Sequence, residues 1–182
     1  MQSTRTGYKP TARLLHWIVA IMVIGMLPVG SIMIIEGLDK TLSDTLFILH
    51  KNTGVIILLL MILRVLYRAF NRPDPLPASI PGWQQTIAGA SHFGLYFMAF
   101  FMTVSGYIRV TMGGFPIEGL GALGLHPLLP RNDAIAEIAK TAHFYGRFVF
   151  AAVIALHIGA ALHHAIILRD GVFRRIWPIF GR

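Results

Sequence analysis

Three stretches of this chain carry no charged side chain over more than twenty residues. Residues 14–35 and 87–108 each run for 22 residues without Asp, Glu, Lys or Arg, and residues 148–168 run for 21. About 20 apolar residues in a helix cross the hydrocarbon core of a bilayer, where the backbone must satisfy its own hydrogen bonds. These stretches therefore predict three membrane-spanning helices and argue against a soluble protein.

A fourth span is predicted between residues 46 and 66, although it contains two basic residues. Lys51 lies about one turn from its start and Arg64 near its end, and the residues between them are uncharged. Long basic side chains can extend from helix ends to the membrane surface, so both charges are compatible with a span. We expect an all-α, four-helix transmembrane domain over residues 1–182. Its helices are predicted to run roughly over residues 11–35, 45–69, 84–109 and 136–169.

The segments between the spans are polar or rich in helix-breaking residues. A short polar loop covers residues 36–44, a Pro-rich loop covers 71–83, and a longer Gly- and Pro-rich loop covers 109–137. The first apolar stretch is too long for a signal peptide, and the polar loop follows it where a small-residue cleavage site would stand. We therefore expect the first span to be a retained helix.

The charges are unevenly divided between the two predicted membrane faces. The face with both termini and the Pro-rich loop holds ten basic residues and only two acidic ones, Asp74 and Asp170, whereas the opposite face holds six of each sign. The ten are Arg5, Lys9, Arg13, Arg64, Arg68, Arg72, Arg169, Arg174, Arg175 and Arg182. Because basic loops stay in the cytoplasm, we expect both termini there. In a bacterium, the protein would be a multi-pass inner-membrane protein with its Gly-rich loop in the periplasm.

The composition removes several classes of function. Only 13% of the 182 residues are charged, against roughly a quarter in soluble domains. The absence of cysteine excludes disulfides, iron–sulfur clusters, thiolate metal sites and cysteine nucleophiles. A net charge of +8 would suggest a nucleic-acid partner in a soluble protein. Since the cytoplasmic face accounts for that excess, we expect membrane lipid and no nucleic acid.

Seven of the eight histidines lie in or at the edges of the spans. The eighth, His126, lies in the Gly-rich loop, where an exposed histidine is the simplest interpretation. One histidine at membrane depth is compatible with a hydrogen bond between helices. Seven are unusual, because ionisable groups there are costly and commonly functional. They are His16, His50, His92, His143, His157, His163 and His164.

The last helix places two histidines on one face at very different depths. His143 and His157 are fourteen residues apart, so they lie within about 40° of each other around the helix and about 21 Å apart along it. Arg147 and His164 fall on the same face, whereas His163 points nearly to the opposite side. No single metal ion could bind both His143 and His157, but two separate cofactors could.

Each of these two histidines has a partner at its own depth. The direction of the helices places His50 and His143 in the periplasmic half of the bundle, and His16 and His157 in the cytoplasmic half. Two haems, each held by two histidines across a four-helix bundle, would satisfy these counts and depths.

The same residues leave other interpretations open. A metal ion or a proton pathway could use these histidines without haem, although the uncharged stretches lack the Asp and Glu that such sites commonly use. In the cytoplasmic half, His92 could compete as a ligand. Small residues near the ligands would leave room for a flat macrocycle, or would simply allow close helix packing. They are Gly25, Gly54, Gly146, Gly159 and Ala160.

Several motifs occur together in an order that resembles a known family. They are Arg13-Leu-Leu-His16-Trp17, the run from His50-Lys-Asn-Thr-Gly54 to Arg64, His92 with Tyr96 and Gly106, and His143 and His157 followed by His163-His164 and Arg169-Asp170. This ordered set covers nearly the whole chain and resembles the bacterial cytochrome b561 family, within the wider group that includes hydrogenase cytochrome b subunits. In one departure, the doubled histidine stands six and seven residues after the last ligand, where seven and eight are common.

The resemblance implies a four-helix b-type cytochrome of the bacterial inner membrane, with two haem b groups, that exchanges electrons with ubiquinone. One type of member oxidises superoxide at the periplasmic face and passes the electron to quinone. The resemblance also implies four axial ligands in two pairs. These pairs are His50 with His143 and His16 with His157.

Four basic side chains are expected to support the haems or to attract a substrate. Arg147 and Arg13 are candidates for binding the anionic haem propionates. Lys51, Arg109 and Arg147 could attract an anion such as superoxide or contact a haem propionate. Lys51 and Arg13 could equally lie at the membrane interface without such a role.

Two histidines of the cytoplasmic half are candidates for a quinone site. Quinone reduction consumes protons, and histidine titrates near neutral pH, so His92 and His164 could bind a quinone carbonyl or relay protons to it. The alternative is that both simply pack between helices. The role of His163 stays open.

Three classes of function are compatible with the sequence. The first is an oxidoreductase that passes electrons from superoxide to the ubiquinone pool. The second is an electron-transfer subunit or carrier that serves a partner redox protein, such as a periplasmic donor docked on the Gly-rich loop, and has no substrate chemistry of its own. The third is a transporter that uses its histidines without haem.

Overall fold

The computed structural model describes residues 7–178 and is helical throughout that range apart from turns and loops. Four long helices are apolar enough to cross a membrane. They are α1 (Pro10–Ile32), α2 (Lys40–Phe70), α3 (Gly82–Met112) and α5 (Asp133–Leu162), and a short α4 covers Glu118–Ala122. Arg5 and Arg182 of the predicted basic face, and the two ends of the domain expected over residues 1–182, lie outside the described residues.

Two helices start earlier than predicted because polar side chains cap them. α2 starts at Lys40, not at residue 45, because the Asp39 carboxylate accepts a hydrogen bond from the Leu42 amide at 2.9 Å. α5 starts at residue 133, not 136, and the Asn132 side chain accepts from the Ile135 amide at 3.1 Å. Such caps satisfy amides that have no partner inside the helix, so each adds about a turn.

The helix ends also differ from the prediction. α1 stops three residues before residue 35. α3 covers residues 82–112 where 84–109 was predicted, and it ends where the Gly113 amide donates to the Arg109 carbonyl and Gly114 adopts a φ of +78°. That left-handed conformation suits glycine. α5 continues as a π-helical turn, His163–Leu168, and ends at Arg169 with a φ of +51°.

The helices do not pack evenly around the bundle. α3 packs along α5, α1 along α2, and α2 along α3. Within residues 7–178, neither α1 nor α2 packs closely along α5. A buried apolar cluster joins the four long helices. It consists of Val19, Ile57, Met61, Met98, Ala99 and Phe150. α5 therefore faces α1 and α2 across gaps on either side of this cluster.

The outward surfaces of the long helices are apolar and exposed, as lipid-facing helices require. Ile21, Leu59, Phe93 and Leu156, one from each long helix, are 60–75% exposed. In water so many exposed apolar side chains would be an aggregation hazard. The protein is therefore a multi-pass membrane protein.

The segment after the last span folds back over the start of α1. It contains a single 3₁₀ turn, Phe173–Arg175. The Trp17 indole donates to the Ile176 carbonyl at 3.2 Å, and the Arg13 guanidinium donates to the Pro178 carbonyl at 3.0 Å. The first turns of α1 are thus covered by the end of the described chain.

Candidate functional site

His50 of α2 and His143 of α5 face each other across one of the two gaps. Their ring centroids lie 6.2 Å apart, and the ring planes are nearly perpendicular, at 87°. His50 is in the third turn of α2 and His143 is in the third turn of α5. The structure therefore brings together the periplasmic-half pair that helix direction predicts.

His16 of α1 and His157 of α5 face each other across the other gap. Their ring centroids are 6.5 Å apart, with an angle of 70° between the planes. His92 of α3 also lies here, with its ring centroid 5.4 Å from that of His157. The rings of the predicted pair therefore face each other. His92, which the sequence suggested either as a competing ligand or as a quinone contact, lies beside them.

One face of α5 carries one histidine of each pair. His143 and His157 are separated by fourteen residues, or about 21 Å of helix rise. Phe150 stands midway between them and is buried in the apolar cluster, with Ile154 packed against it. The two pairs are therefore separate sites on either side of a hydrophobic layer.

A large cavity surrounds the His50/His143 pair. It has a volume of about 850 Å³, and its walls come from α1, α2, α3, α5 and the loop before α4. Arg109 and Arg147 line it together with the two histidines, and so does Lys51. Most of the lining is apolar. The cavity is large enough to hold a cofactor-sized molecule.

Arg147 is held in this cavity by aromatic rings and not by an acid. Its guanidinium carbon lies 4.1 Å from the ring centre of Phe144 and 4.6 Å from that of Phe148. Its Nε is buried and has no hydrogen-bond partner among residues 7–178. A buried donor without a partner is costly, so this nitrogen is suited to bind an anionic acceptor.

The hydrogen bonds of His143 set which ring nitrogen faces the cavity side. Its Nδ1 lies 3.1 Å from the Ser105 hydroxyl, and that hydroxyl donates to the Met102 carbonyl at 3.2 Å. The Ser105 oxygen therefore acts as acceptor for Nδ1–H, which leaves the lone pair on Nε2. The Nδ1 atoms of His16 and His50 are buried, and neither has a hydrogen-bond partner in the described part of the chain.

Two glycines make room for His50 and His143, whereas the small residues named from the sequence were suggested as space for a flat macrocycle or for close helix packing. A Cβ at Gly30 would lie 2.7 Å from Cε1 of His50, and one at Gly106 would lie 3.1 Å from Cε1 of His143. The expected Gly146 instead packs against Phe101 and Met102, because α3 and α5 lie close together there. Nothing lies within 4 Å of a Cβ at Gly25, Gly54 or Gly159.

The loop before α4 is anchored to α2 beside His50. The Lys51 ammonium lies 2.6 Å from a Glu118 carboxylate oxygen and donates to the Pro116 carbonyl at 2.7 Å. The Asn52 side chain donates to the other Glu118 oxygen at 2.8 Å and accepts from the Gly119 amide at 2.7 Å. The charge of Lys51, predicted to attract an anion or to lie at the membrane interface, is therefore paired with an acid.

The pKa of Glu118 reflects this anchor. Partial burial acts to raise the pKa, but the hydrogen bonds from Lys51, from the backbone and from Asn52, together with the charge of Lys51, outweigh it. The pKa of Glu118 is held below its ordinary value, so the carboxylate stays charged at neutral pH.

Arg13 is already engaged by the backbone. Its Nε donates to the Tyr8 carbonyl at 2.8 Å, and its terminal nitrogen donates to Pro178. These contacts tie the start of α1 to the end of the described chain. They occupy two of the donors that a propionate would need.

His164 forms a half-buried pair with Asp170. Nδ1 of His164 lies 2.5 Å from one carboxylate oxygen, and the Val172 amide donates to the other at 3.0 Å. Burial acts to raise the pKa of Asp170, but these hydrogen bonds outweigh it and hold the pKa below its ordinary value. His163, in contrast, is exposed, as is His126 in the loop.

A family model for the prokaryotic cytochrome b561 matches residues 7–178, which is nearly the whole chain. The chain belongs to the prokaryotic cytochrome b561 family. The resemblance inferred from the ordered histidine motifs is thereby confirmed. As a member of this family, the protein is a membrane b-type cytochrome that takes part in electron transfer.

Curated relatives of this b561-family chain match over almost their full length. It is 29% identical to cytochrome b561 homolog 2 of Escherichia coli strain K12, over 96% of this chain and 93% of that protein. It is 26% identical to cytochrome b561 homolog 1 of the same strain, over 94% and 97%. It is also 26% identical to a probable superoxide oxidase, CybB, of Yersinia pestis, over 90% and 92%.

The residues of this cytochrome b561-family chain fit a b-type haem. Metal–imidazole bonds are about 2 Å long, so two imidazoles on opposite sides of one iron have ring centroids roughly 6 Å apart. The pairs His50/His143 and His16/His157 match this separation. Within residues 7–178, no three His, Asp or Glu side chains gather closely enough to hold a metal ion by themselves. This donor set suits a haem iron better than a bare ion.

Several residues around the pairs have no signal in the sequence that marks them. Gly30 looks like any other glycine in a span, and Ser105 like any small helix residue, whereas Gly106 belongs to one of the motifs that resemble the family. Their roles depend on which neighbouring helix they face. Asp170 carried a clue, since it is one of two acids on the basic face and belongs to a motif of the family.

Proposed function

We propose that this cytochrome transfers electrons across the inner membrane through two b-type haems, from a donor on the periplasmic side to ubiquinone. His50 with His143, and His16 with His157, would be the axial ligands. The observation that carries this proposal is the pair of matched histidine sites on one face of α5, each facing a different helix. When bound, the haems would supply one-electron redox chemistry.

We further propose one transmembrane domain over residues 1–182 with both termini in the cytoplasm. The support is the charge asymmetry. Ten basic residues and two acids fall on one side, whereas six basic and six acidic residues fall on the other. The anchored loop before α4 would then lie at the periplasmic face, beside His50. The Pro-rich loop and the His164–Asp170 pair would lie at the cytoplasmic face.

On the periplasmic side, superoxide is the donor that the charges favour. Arg109 and Arg147 line the cavity beside His143, and neither forms an ion pair with an acid of the described chain. The lining also contains Lys51 and Lys140 with the acids Asp44 and Glu118. Its basic residues therefore outnumber its acidic ones by two and would draw in an anion and raise its rate of arrival. A relative of similar length is named as a probable superoxide oxidase. Two superoxide ions would each give one electron and leave as dioxygen.

On the cytoplasmic side, ubiquinone would take up two electrons and two protons to become ubiquinol. His164 would hydrogen-bond a quinone carbonyl or pass a proton to it, and Asp170 would hold its ring. His92 stands beside His157 and is the second candidate for contact with quinone. This arrangement places proton uptake on the side opposite to superoxide.

A second candidate function is that of a carrier fed by a periplasmic redox protein. The loop between α3 and α5 exposes apolar side chains, including Phe115 at 62%, Leu123 at 74% and Leu128 at 84%. Such a patch suits a protein contact. In that case superoxide would give no turnover, and a protein donor would be required.

Purified holoprotein with a superoxide source and a soluble ubiquinone decides between these functions. A pyridine haemochrome assay is expected to give two haem b per chain, and stopped-flow absorbance is expected to show haem reduction by superoxide followed by quinol formation. The rate should fall steeply as ionic strength rises, because salt screens the attraction. A rate with superoxide that does not depend on salt, or no rate at all, would favour the carrier, and absence of haem b would end both.

A further inference from the structure

Two basic residues in the second half of α2 lie inside the bundle without an acidic partner. Arg64 and Arg68 are one turn apart and half-buried. Among residues 7–178, neither takes part in an ion pair within 4.0 Å. Both guanidinium groups lie over the Tyr96 ring of α3, at 5.4 Å and 5.9 Å from its centre. Partly buried cations are normally paired with an anion, so these two lack an expected partner.

Arg64 is also oriented by a hydrogen bond. Its Nε donates to the Tyr96 hydroxyl at 2.9 Å. A guanidinium has five N–H donors in a planar fork, and within the described chain the terminal nitrogens of Arg64 make no hydrogen bond. Tyr96 therefore fixes the group by one edge, and the end that binds carboxylates in a two-point contact is left open.

The open end of Arg64 belongs to the cytoplasmic-half histidine site. Tyr96, which holds Arg64, lies one helical turn after His92 on α3, and the ring centroid of His92 is 5.4 Å from that of His157. A small cavity of about 20 Å³, lined by Arg64, Arg68 and Tyr96, lies next to the start of α1. The alternative cation, Arg13, already binds two backbone carbonyls.

The periplasmic-half site shows the same combination of features. Arg147 rests on Phe144 and Phe148, has no acidic partner among the described residues, and leaves a buried nitrogen without an acceptor. Each histidine pair is therefore accompanied by one guanidinium that is fixed on an aromatic ring and has donors to spare. The planar fork of each guanidinium suits an acceptor with two planar oxygens.

We propose that Arg64, oriented by Tyr96 and supported by Arg68, binds a carboxylate of the haem held between His16 and His157. This inference rests on the proposed function. Arg64 thereby takes the role that the sequence suggested for Arg13, and Arg13 instead fastens the end of the chain to α1. The fork of Arg64 matches a carboxylate in a two-point contact, whereas a lysine would offer only a point charge.

A phosphate group of a membrane lipid has the same chemistry as a carboxylate toward this site. The two sources are separated by lipid composition, because a haem carboxylate is present whatever the bilayer contains. Holoprotein in nanodiscs of phosphatidylcholine alone is compared with holoprotein in nanodiscs that also contain phosphatidylglycerol. In both kinds of nanodisc, the quantity measured is the midpoint potential of the bound haem.

The test is the midpoint potential of each haem in Arg64→Met, measured by spectroelectrochemical titration. Loss of a cation that neutralises a haem carboxylate stabilises the oxidised haem. We expect the midpoint potential of one of the two haems to fall by about 59 mV, which for one electron is a tenfold change in its reduction equilibrium. The shift should be the same in both lipids. Arg147→Met should move the other component, which assigns the two.

Three results would overturn the proposal. They are an unchanged potential in Arg64→Met, a shift seen only with phosphatidylglycerol, and an equal shift in the matched control Arg13→Met. If Arg64→Met does not retain both haems, Arg64→Lys carries the test, with a smaller shift of the same component expected and no shift counting against the site. Failure of the proposed function would appear separately, as a wild-type protein without two haems or without quinone reduction.

Discussion

The ammonium of Lys51 and the carboxylate of Glu118 lie 2.6 Å apart and join α2 to the first residue of α4, at the end of the loop that precedes it. Because Lys51 follows His50 directly in the chain, this contact fastens the loop to one wall of the cavity around His50 and His143. The same carboxylate accepts from Asn52, so the loop is held at two successive residues of α2.

Glu118→Gln is expected to weaken this anchor while keeping the shape of the side chain. The lost ion pair should lower the free energy of unfolding by up to about 1 kcal/mol, because the Lys51 side chain is only 16% exposed but that of Glu118 is 39% exposed. Thermal unfolding in detergent, followed by circular dichroism at neutral pH, measures the difference. Asp44→Asn is the matched control, since Lys40 and Asp44 also lie 2.6 Å apart but are largely exposed, and no change is expected there.

The same variant carries a pH dependence of known sign. The folded-state pKa of Glu118 lies below its ordinary value, so its stabilising contribution is fully present above the unfolded carboxyl pKa of about 4.3. It is lost as the pH falls through the lower folded value. The melting temperatures of wild type and Glu118→Gln should therefore converge in acid. A difference that persists unchanged at pH 3 would contradict the assignment.

Gly30→Ala is expected to disturb haem binding at His50. The added Cβ would lie 2.7 Å from Cε1 of His50, and so close a contact forces the ring to move. Haem content by pyridine haemochrome should fall toward one per chain. Gly25→Ala, in the same helix with nothing within 4 Å of its Cβ, should keep the wild-type content. Equal content in both variants would show that His50 tolerates the displacement.

Ser105→Ala is expected to change the potential of one haem without loss of haem. Removing the acceptor for Nδ1–H of His143 makes that imidazole a weaker electron donor, so the potential of its haem should rise, by up to about 59 mV, or tenfold in the reduction equilibrium. Thr111→Val serves as control, because its buried hydroxyl bonds only to the Tyr107 carbonyl of its own helix. A rise of similar size in the control would mean that the haem potential responds to the loss of any buried hydroxyl in α3.

His164→Ala and Asp170→Asn are expected to slow quinone reduction while both haem spectra stay unchanged. Asp170→Asn can still accept from the Val172 amide through its side-chain oxygen, so it weakens the hold on His164 and spares the turn. Haem re-oxidation by quinone, followed by stopped flow, should slow by ten-fold or more in the first variant and less in the second. Loss of a haem in His164→Ala would instead make this residue a structural or ligating one.

The histidine pairs were predictable because helix period and direction decide both face and depth. His143 and His157 share a face by their spacing alone, and the charge asymmetry oriented the helices that carry His16 and His50. No such rule marks the residues that contact these rings from a neighbouring helix. Gly30 reaches His50 only because α1 packs along α2, and that choice of neighbour is a tertiary property.

The contacts of Arg13 also depend on tertiary packing that the sequence does not reveal. Its position three residues before His16 suggested a contact with a haem, yet its donors bind carbonyls at Tyr8 and Pro178. The segment that supplies Pro178 has no periodic pattern, so its return over α1 could not be foreseen. Arg64 lies far from the ligands in the chain, and only the bundle brings its charge to their site.

Because His143 and His157 stand on one continuous helix, the backbone of α5 fixes the distance between the two histidine pairs. Loops elsewhere can lengthen without altering that separation. One residue inserted between positions 143 and 157 would turn one of these histidines by about 100° relative to the other and carry it away from its partner. Insertions and deletions should therefore be tolerated in the loop between α3 and α5, and forbidden in this fourteen-residue interval.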